Sequence, residues 1–189
     1  MGEHRGDTRA RIQAVALELF AEQGYEKTSL REIAERLNVT KAALYYHFKT
    51  KEDIIVSLFD DALARLDDLI AWGREQPATL ETRQELVRRY ADQLYGSGPG
   101  IMRFAQENQG TMRDLAVGEK LRCRVKDLIE LLADRKAPLT EQLKSAMAVF
   151  TLNAALFTFR DYDITEEERR ATGIAVALEL ISGSSHAES

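Results

Sequence analysis

The sequence predicts an all-α fold of about nine helices. Apolar residues recur at three- and four-residue spacing along nearly the whole chain, the signature of amphipathic helices. No stretch sustains the two-residue alternation of a half-buried strand. Prolines stand only at 77, 99 and 138, so most segments run without a breaker.

Each helix has a local cause. Asp7 and Thr8 form a capping pair for a first helix running to Gln23. Within it Ile12, Val15, Ala16, Leu19 and Phe20 make one buried face. Gly24 supplies the left-handed stop, and "YEKT" is a loop. Ser29 and Glu32 form an S-x-x-E capping box for a second helix with Leu30, Ile33, Ala34 and Leu37 inside. Asn38, a residue that tolerates left-handed backbone, ends it. Thr40 caps a third helix over 41–48, whose core pair is Leu44 and Phe48. Thr50 caps a long fourth helix to about Arg74, with Ile55, Leu58, Phe59, Ala62, Leu66, Leu69 and Ile70 on its apolar side.

Beyond "QPAT" (76–79) a helix extends to about Tyr95, and "GSGPG" (96–100) is a turn. A shorter helix covers "IMRFAQEN", and residues from about 112 to 134 are helical again. "KAP" (136–138) separates these from an apolar helix, Leu139 to Phe159. Thr165 caps the last helix, which runs to about Ile181. The pattern divides into a small domain at 1–50, a larger helical domain at 51–182, and a polar tail at 183–189 expected to be disordered.

Composition narrows the function. A chain of 189 residues with 44% apolar and 30% charged residues is long enough for a sizeable core and ordinary for a soluble protein. The lone Cys123 excludes an internal disulfide framework. No apolar run approaches the ~20 residues of a membrane span, and "MGEHRGDTRAR" lacks a secretory core, so a cytoplasmic setting is expected. The net charge of −5 is unevenly spread. Residues 1–51 carry nine Lys/Arg against seven acids, a balance of +2, which leaves −7 for the remainder. That asymmetry points the N-terminal part toward an anionic partner.

The stretch "NVTKAALYYHFKTKEDI" gives that partner a form. Two short helices at 29–37 and 41–48, separated by a tight "NVT" turn, have helix-turn-helix spacing. In such a motif the leading end of the second helix reaches base edges in the major groove. Those residues are Thr40, Lys41, Ala42 and Ala43. The alanines permit close approach and contact with a thymine methyl, and Lys41 can donate to guanine O6 and N7. With Leu44 and Phe48 inward, Tyr45 and Tyr46 lie off the core face, where their hydroxyls can donate to phosphate. His47 and Lys51 are further phosphate candidates.

"SLREIAERLNVTKAALYYHFKTKEDII" resembles the DNA-binding motif of the tetracycline-repressor (TetR) family of transcriptional regulators, and "RARIQAVALELFAEQGYEKTSL" resembles its first helix and following loop. The resemblance covers about residues 9–56. It implies a homodimer on a partly palindromic operator, released by a small molecule bound in the C-terminal domain. By position it adds Thr28 and Ser29 as phosphate contacts and Arg31 as a base or phosphate contact to the set Thr40, Lys41, Ala42, Tyr45, Tyr46, His47 and Lys51. Ala42 and Asn38 stand where the family often has glycine.

The C-terminal part is expected to dimerise and to bind an effector. Leu139, Leu143, Ala146, Met147, Phe150, Ala154 and Phe157 fall along one side of their helix, and the last helix is apolar over more than one stripe. A helix apolar on two faces needs two burial partners. The resemblance supplies the second: helices at about 139–159 and 166–181 would pair with their copies. Candidate pocket residues are Phe59, Ala62, Phe104, Asn108, Met112, Phe150, Asn153 and Phe157, with Trp72 beside them. No cofactor or metal is expected. Three histidines, one cysteine and no G-x-S-x-G, Walker or H-E-x-x-H pattern leave no catalytic set, so the chain is read as no enzyme. The rival reading is a helical protein-interaction module.

Overall fold

The computed structural model describes residues 3–96, 99–108, 110, 116–159 and 162–183. Among them stand nine α-helices and no strand: α1 Glu3–Gln23, α2 Leu30–Arg36, α3 Lys41–His47, α4 Lys51–Glu75, α5 Leu80–Gly96, α6 Pro99–Glu107, α7 Ala116–Leu132, α8 Leu139–Thr158 and α9 Glu166–Ser182. The chain divides into two compact units. The first comprises Met1–Ala62 with Gly100–Gly118, the second Leu63–Pro99 with Glu119–Ser189. Helix α4 contributes Ile54, Ile55, Leu58 and Phe59, all buried, to the first of these units.

In the first unit α1 packs on α2 and α2 on α3. Ile12, Ala16, Leu19 and Phe20 are buried from α1, Ile33 and Ala34 from α2, and Leu44 and Phe48 from α3 and its C-cap. The rings of Phe20, Tyr25 and Phe104 form a triangle with centroids 5.1 to 5.6 Å apart. A polar link also runs through this interior. Gln13 Nε2 donates to Ser57 Oγ at 2.9 Å and to Asp61 Oδ2 at 3.2 Å. Helix α1 begins at Glu3, one turn before the expected Asp7/Thr8 cap. Asp and Thr cost only tenths of a kcal/mol inside a helix, roughly, so a capping preference does not force a start there.

The turn chemistry follows the sequence closely. Gly24 takes φ +90° and its N–H donates to the Phe20 carbonyl. Asn38 takes φ +54°, and the following Val39 N–H returns to Ala34 O at 3.0 Å. Thr165 and Glu168 make a second reciprocal capping box at α9.

In the second unit α9 packs against α8 and α5, and α5 against α8. Gly173 sits where α9 meets α8: a Cβ there would lie 2.9 Å from Ala155 Cβ. Arg124 pairs with Asp67 at 2.7 Å, Arg74 with Asp127 at 3.4 Å, and Arg170 with Asp92. These are surface pairs, each worth at most ~1 kcal/mol. At the start of α9, Glu168 makes the cap and Arg170 reaches α5. Gly183 is the C-cap of α9, and residues 184–189 of the expected tail lie outside the described residues.

Candidate nucleic-acid interface

The geometry of α2 and α3 is set by their caps. Ser29 Oγ accepts from Glu32 N at 3.2 Å while Glu32 Oε2 accepts from Ser29 N at 2.7 Å. The Ser29 hydroxyl and backbone N–H together hold the Glu32 carboxyl below the usual carboxylate range. At α3, Thr40 Oγ1 accepts from Ala43 N at 3.1 Å. Both caps orient a helix end outward, where backbone N–H groups favour anions.

The leading end of α3 is open to solvent. Thr40, Lys41, Ala42 and Ala43 are all exposed, while Leu44 behind them is fully buried. The side chains divide as the period predicts. Tyr46 is 62% exposed, Tyr45 and His47 are half-buried, and Phe48 is buried. The Lys41 ammonium stands 5.3 Å from the Tyr45 ring centre, and the His47 ring meets Tyr46 edge-on at 5.3 Å. Ser29 and Arg31 are exposed on α2 and its cap, with Arg31 held by Glu35 at 2.7 Å. Lys41, Tyr45, Tyr46, His47, Ser29 and Arg31 thus stand on one capped pair of helices.

Two expected contacts are placed otherwise. Thr28 is 2% exposed, and its hydroxyl donates to the Gly24 carbonyl at 2.9 Å. It fastens the end of α1 instead of facing a phosphate, because the Gly24 and Leu19 carbonyls lie within reach of its hydroxyl. Lys51 is half-buried: Nζ donates to the Tyr25 carbonyl at 2.8 Å and lies 4.4 Å from the Tyr25 ring centre. Its ammonium is engaged by the first unit itself.

Sequence reasoning also missed residues that shape this surface. Lys49 Nζ donates to Tyr45 O at 2.6 Å and so closes the C-terminal end of α3. Asp53 Oδ2 accepts from Lys49 N at 3.0 Å and Thr50 N at 2.9 Å, while Thr50 Oγ1 accepts from Asp53 N at 3.0 Å. The T-x-x-D spacing of Thr50 and Asp53 carries that signal. The Arg9 guanidinium lies 5.7 Å from the Phe48 ring centre, which only the fold reveals.

The pocket candidates disperse. Phe59 and Phe104 are core of the first unit, Ala62 is half-buried there, and Asn108 Nδ2 donates to Phe104 O. Phe150 is 53% exposed and lines no interior, because α8 turns that side outward. Asn153 Nδ2 donates to the Tyr90 hydroxyl at 3.2 Å and to Val149 O at 3.0 Å, while its Oδ1 is buried without a partner. Met112 and the Phe157 side chain lie outside the described residues. In the second unit a surface hollow of about 300 Å³ is lined by Trp72, with Arg89 stacked on its ring at 3.9 Å. Among the described residues no cluster of His, Cys, Asp and Glu could hold a metal, and no helix is long and apolar enough to cross a membrane.

These features define a helix-turn-helix protein, with a capped second helix presenting a basic, aromatic end. Residues 12–58 match the model of the bacterial regulatory proteins of the tetR family. It is 41% identical over 63 residues to the HTH-type transcriptional regulator AcrR of Shigella flexneri, a match covering 33% of this chain and 29% of that one. The matches to the first curated relatives span 29% to 38% of the relatives' lengths. The fold as a whole resembles Mycobacterium smegmatis AmtR, with a TM-score of 0.71 at 23% identity over 92% of this chain and 85% of that one. It also resembles the regulator FadR of Bacillus subtilis, solved in complex with stearoyl-CoA, with a TM-score of 0.63 at 21% identity over 92% and 98% of the two chains.

Proposed function

We propose that the chain is a DNA-binding transcriptional regulator, a ligand-responsive repressor that binds a two-fold symmetric operator as a homodimer. The observation that carries this reading is the exposed leading end of α3, with Lys41 and Ala42 behind the Thr40 cap. Lys41 and Ala42 read base edges. Ser29, Arg31, Tyr45, Tyr46 and His47 hold the phosphates that fix register. The exposed residues of α2 are charged (Arg31, Glu35 and Arg36) and α3 opens on Lys41, where a protein-docking helix would carry an apolar stripe, which disfavours the interaction-module reading. Nothing in this role calls for catalysis, and operator binding places the protein in the cytoplasm.

Dimerisation rests on α8. Leu139, Leu143, Met147 and Phe150 are exposed along one side, at 79%, 60%, 45% and 53%. Val176 of α9 is exposed as well. A two-fold pairing of α8 and α9 buries this stripe and presents two copies of α3 to successive major grooves about 34–36 Å apart. An effector, a small molecule bound in the C-terminal domain, acts by preferring a state unable to bind DNA. Moving that equilibrium from 1:99 to 99:1 requires about 5.5 kcal/mol of differential affinity. That B. subtilis FadR was solved with stearoyl-CoA supports an effector of some kind here.

Selection from a pool of random duplexes tests the reading. The chain is expected to enrich one sequence with two-fold symmetry and half-sites one helical turn apart. Enrichment of no sequence contradicts it.

A further inference from the structure

Three consecutive residues at the start of α4 hold two separate turns of the first unit. Lys51 Nζ donates to Tyr25 O at 2.8 Å and to Glu26 O at 3.4 Å, within the turn that leads from α1 to the Ser29 cap of α2. Glu52 Oε1 accepts from the Tyr25 hydroxyl of the same turn at 2.8 Å. Asp53 Oδ2 accepts from the backbone N–H groups of Lys49 and Thr50, in the turn that closes α3. Successive helical residues project about 100° apart, so a single turn of α4 reaches both places. The Tyr25 ring is 4% exposed and wedged against Phe20 and Phe104, which leaves its hydroxyl as the end that meets α4.

We propose that Tyr25, Glu52 and Asp53 are positioning residues for DNA binding, fixing α2 and α3 against the first turn of α4 without touching the nucleic acid. The inference rests on the DNA-binding reading above. Charge alone argues against placing two carboxylates here. A domain that approaches a polyanion is weakened by nearby acids, so Glu52 and Asp53 oppose binding through space. Their hydrogen bonds do the reverse, since each carboxylate fastens a turn from which a DNA-facing helix starts or in which one ends. A helix end displaced by a fraction of an ångström loses the bidentate geometry that base reading demands.

The two effects have opposite signs, and this makes the test sharp. The full chain is titrated with the duplex it selects from random DNA, at several salt concentrations. Tyr25→Phe, Glu52→Ala and Asp53→Ala are each expected to weaken binding about three- to tenfold, while Glu52→Gln and Asp53→Asn, which keep an acceptor, stay within about twofold of the parent. The slope of log K against log salt stays unchanged, because no phosphate contact is lost. Tyr25→Phe keeps the ring in its packing and decides the question by itself if an alanine variant fails to fold. Equal or tighter binding by Glu52→Ala and Asp53→Ala, with Tyr25→Phe unaltered, overturns the inference and leaves DNA binding standing. A parent chain that selects no duplex overturns both.

Discussion

The Lys41 ammonium lies 5.3 Å from the centre of the Tyr45 ring, one turn further along α3. An aromatic face at this distance holds a cation by about 0.5–1 kcal/mol at an exposed site. The ring therefore restricts where the ammonium reaches as the helix end meets a groove. Lys41→Ala is expected to cost ~1–3 kcal/mol on the preferred duplex and to relax base choice at one position. Tyr46→Phe, by contrast, should weaken all sequences about equally. Competition binding against a panel of single-base variants of the selected duplex separates the two. If Lys41→Ala changes neither affinity nor preference, Lys41 reads no base.

The stripe on α8 predicts the oligomeric state. The parent chain, of 21.4 kDa, is expected to sediment as a dimer. Leu143→Glu or Phe150→Glu puts a charge in the middle of an apolar contact and should yield a folded monomer. Sedimentation velocity with circular dichroism on the same samples checks this. A monomeric parent, or a variant that remains dimeric, places the interface elsewhere.

Gly173 predicts an unusual sign. Glycine to alanine inside a helix ordinarily gains about 0.5–1 kcal/mol. Here the new Cβ would stand 2.9 Å from Ala155 Cβ, and neither atom can rotate away. Gly173→Ala should therefore lower stability by about 1–3 kcal/mol as α8 and α9 are forced apart. Urea unfolding measures it, and an unchanged or raised midpoint contradicts the close approach.

Acid should loosen the start of α4. The Glu52 carboxyl is held below the ordinary value of 4.5, first by its own backbone N–H and then by the Tyr25 hydroxyl. A depressed carboxyl contributes stability that is present above its unfolded pKa and lost as pH falls through the folded one. The parent should accordingly be more stable than Glu52→Gln above about pH 4.5, and the difference should vanish at lower pH. Thermal melts of both proteins from pH 7 downward give the comparison. A difference that persists at the acid end means the carboxylate charge is not its source.

The elements that could be read from the sequence are those whose causes are local. The Ser29–Glu32 box, the Thr40 and Thr165 caps and the left-handed Asn38 each depend on residues within four positions, and all four form. The division of α3 into buried Leu44 and exposed Tyr46 follows from helical period alone. What escaped is set by distant partners. Thr28 turns inward because α1 offers it carbonyls, and Lys51 because the Tyr25 turn does. A long, flexible lysine suits either fate, and no local pattern chooses between them. By its spacing Phe150 fits both a pocket lining and the apolar side of its helix. The packing of α8 against α9 and α5 leaves it exposed.

The salt dependence of binding to the selected duplex tests the central claim most directly. If the leading end of α3 and the cap of α2 engage DNA as described, log K falls linearly with log salt, by about 0.9 per phosphate neutralised, and a scrambled duplex binds far more weakly at every salt. Affinity indifferent to salt, or equal for the selected and scrambled duplexes, would contradict it.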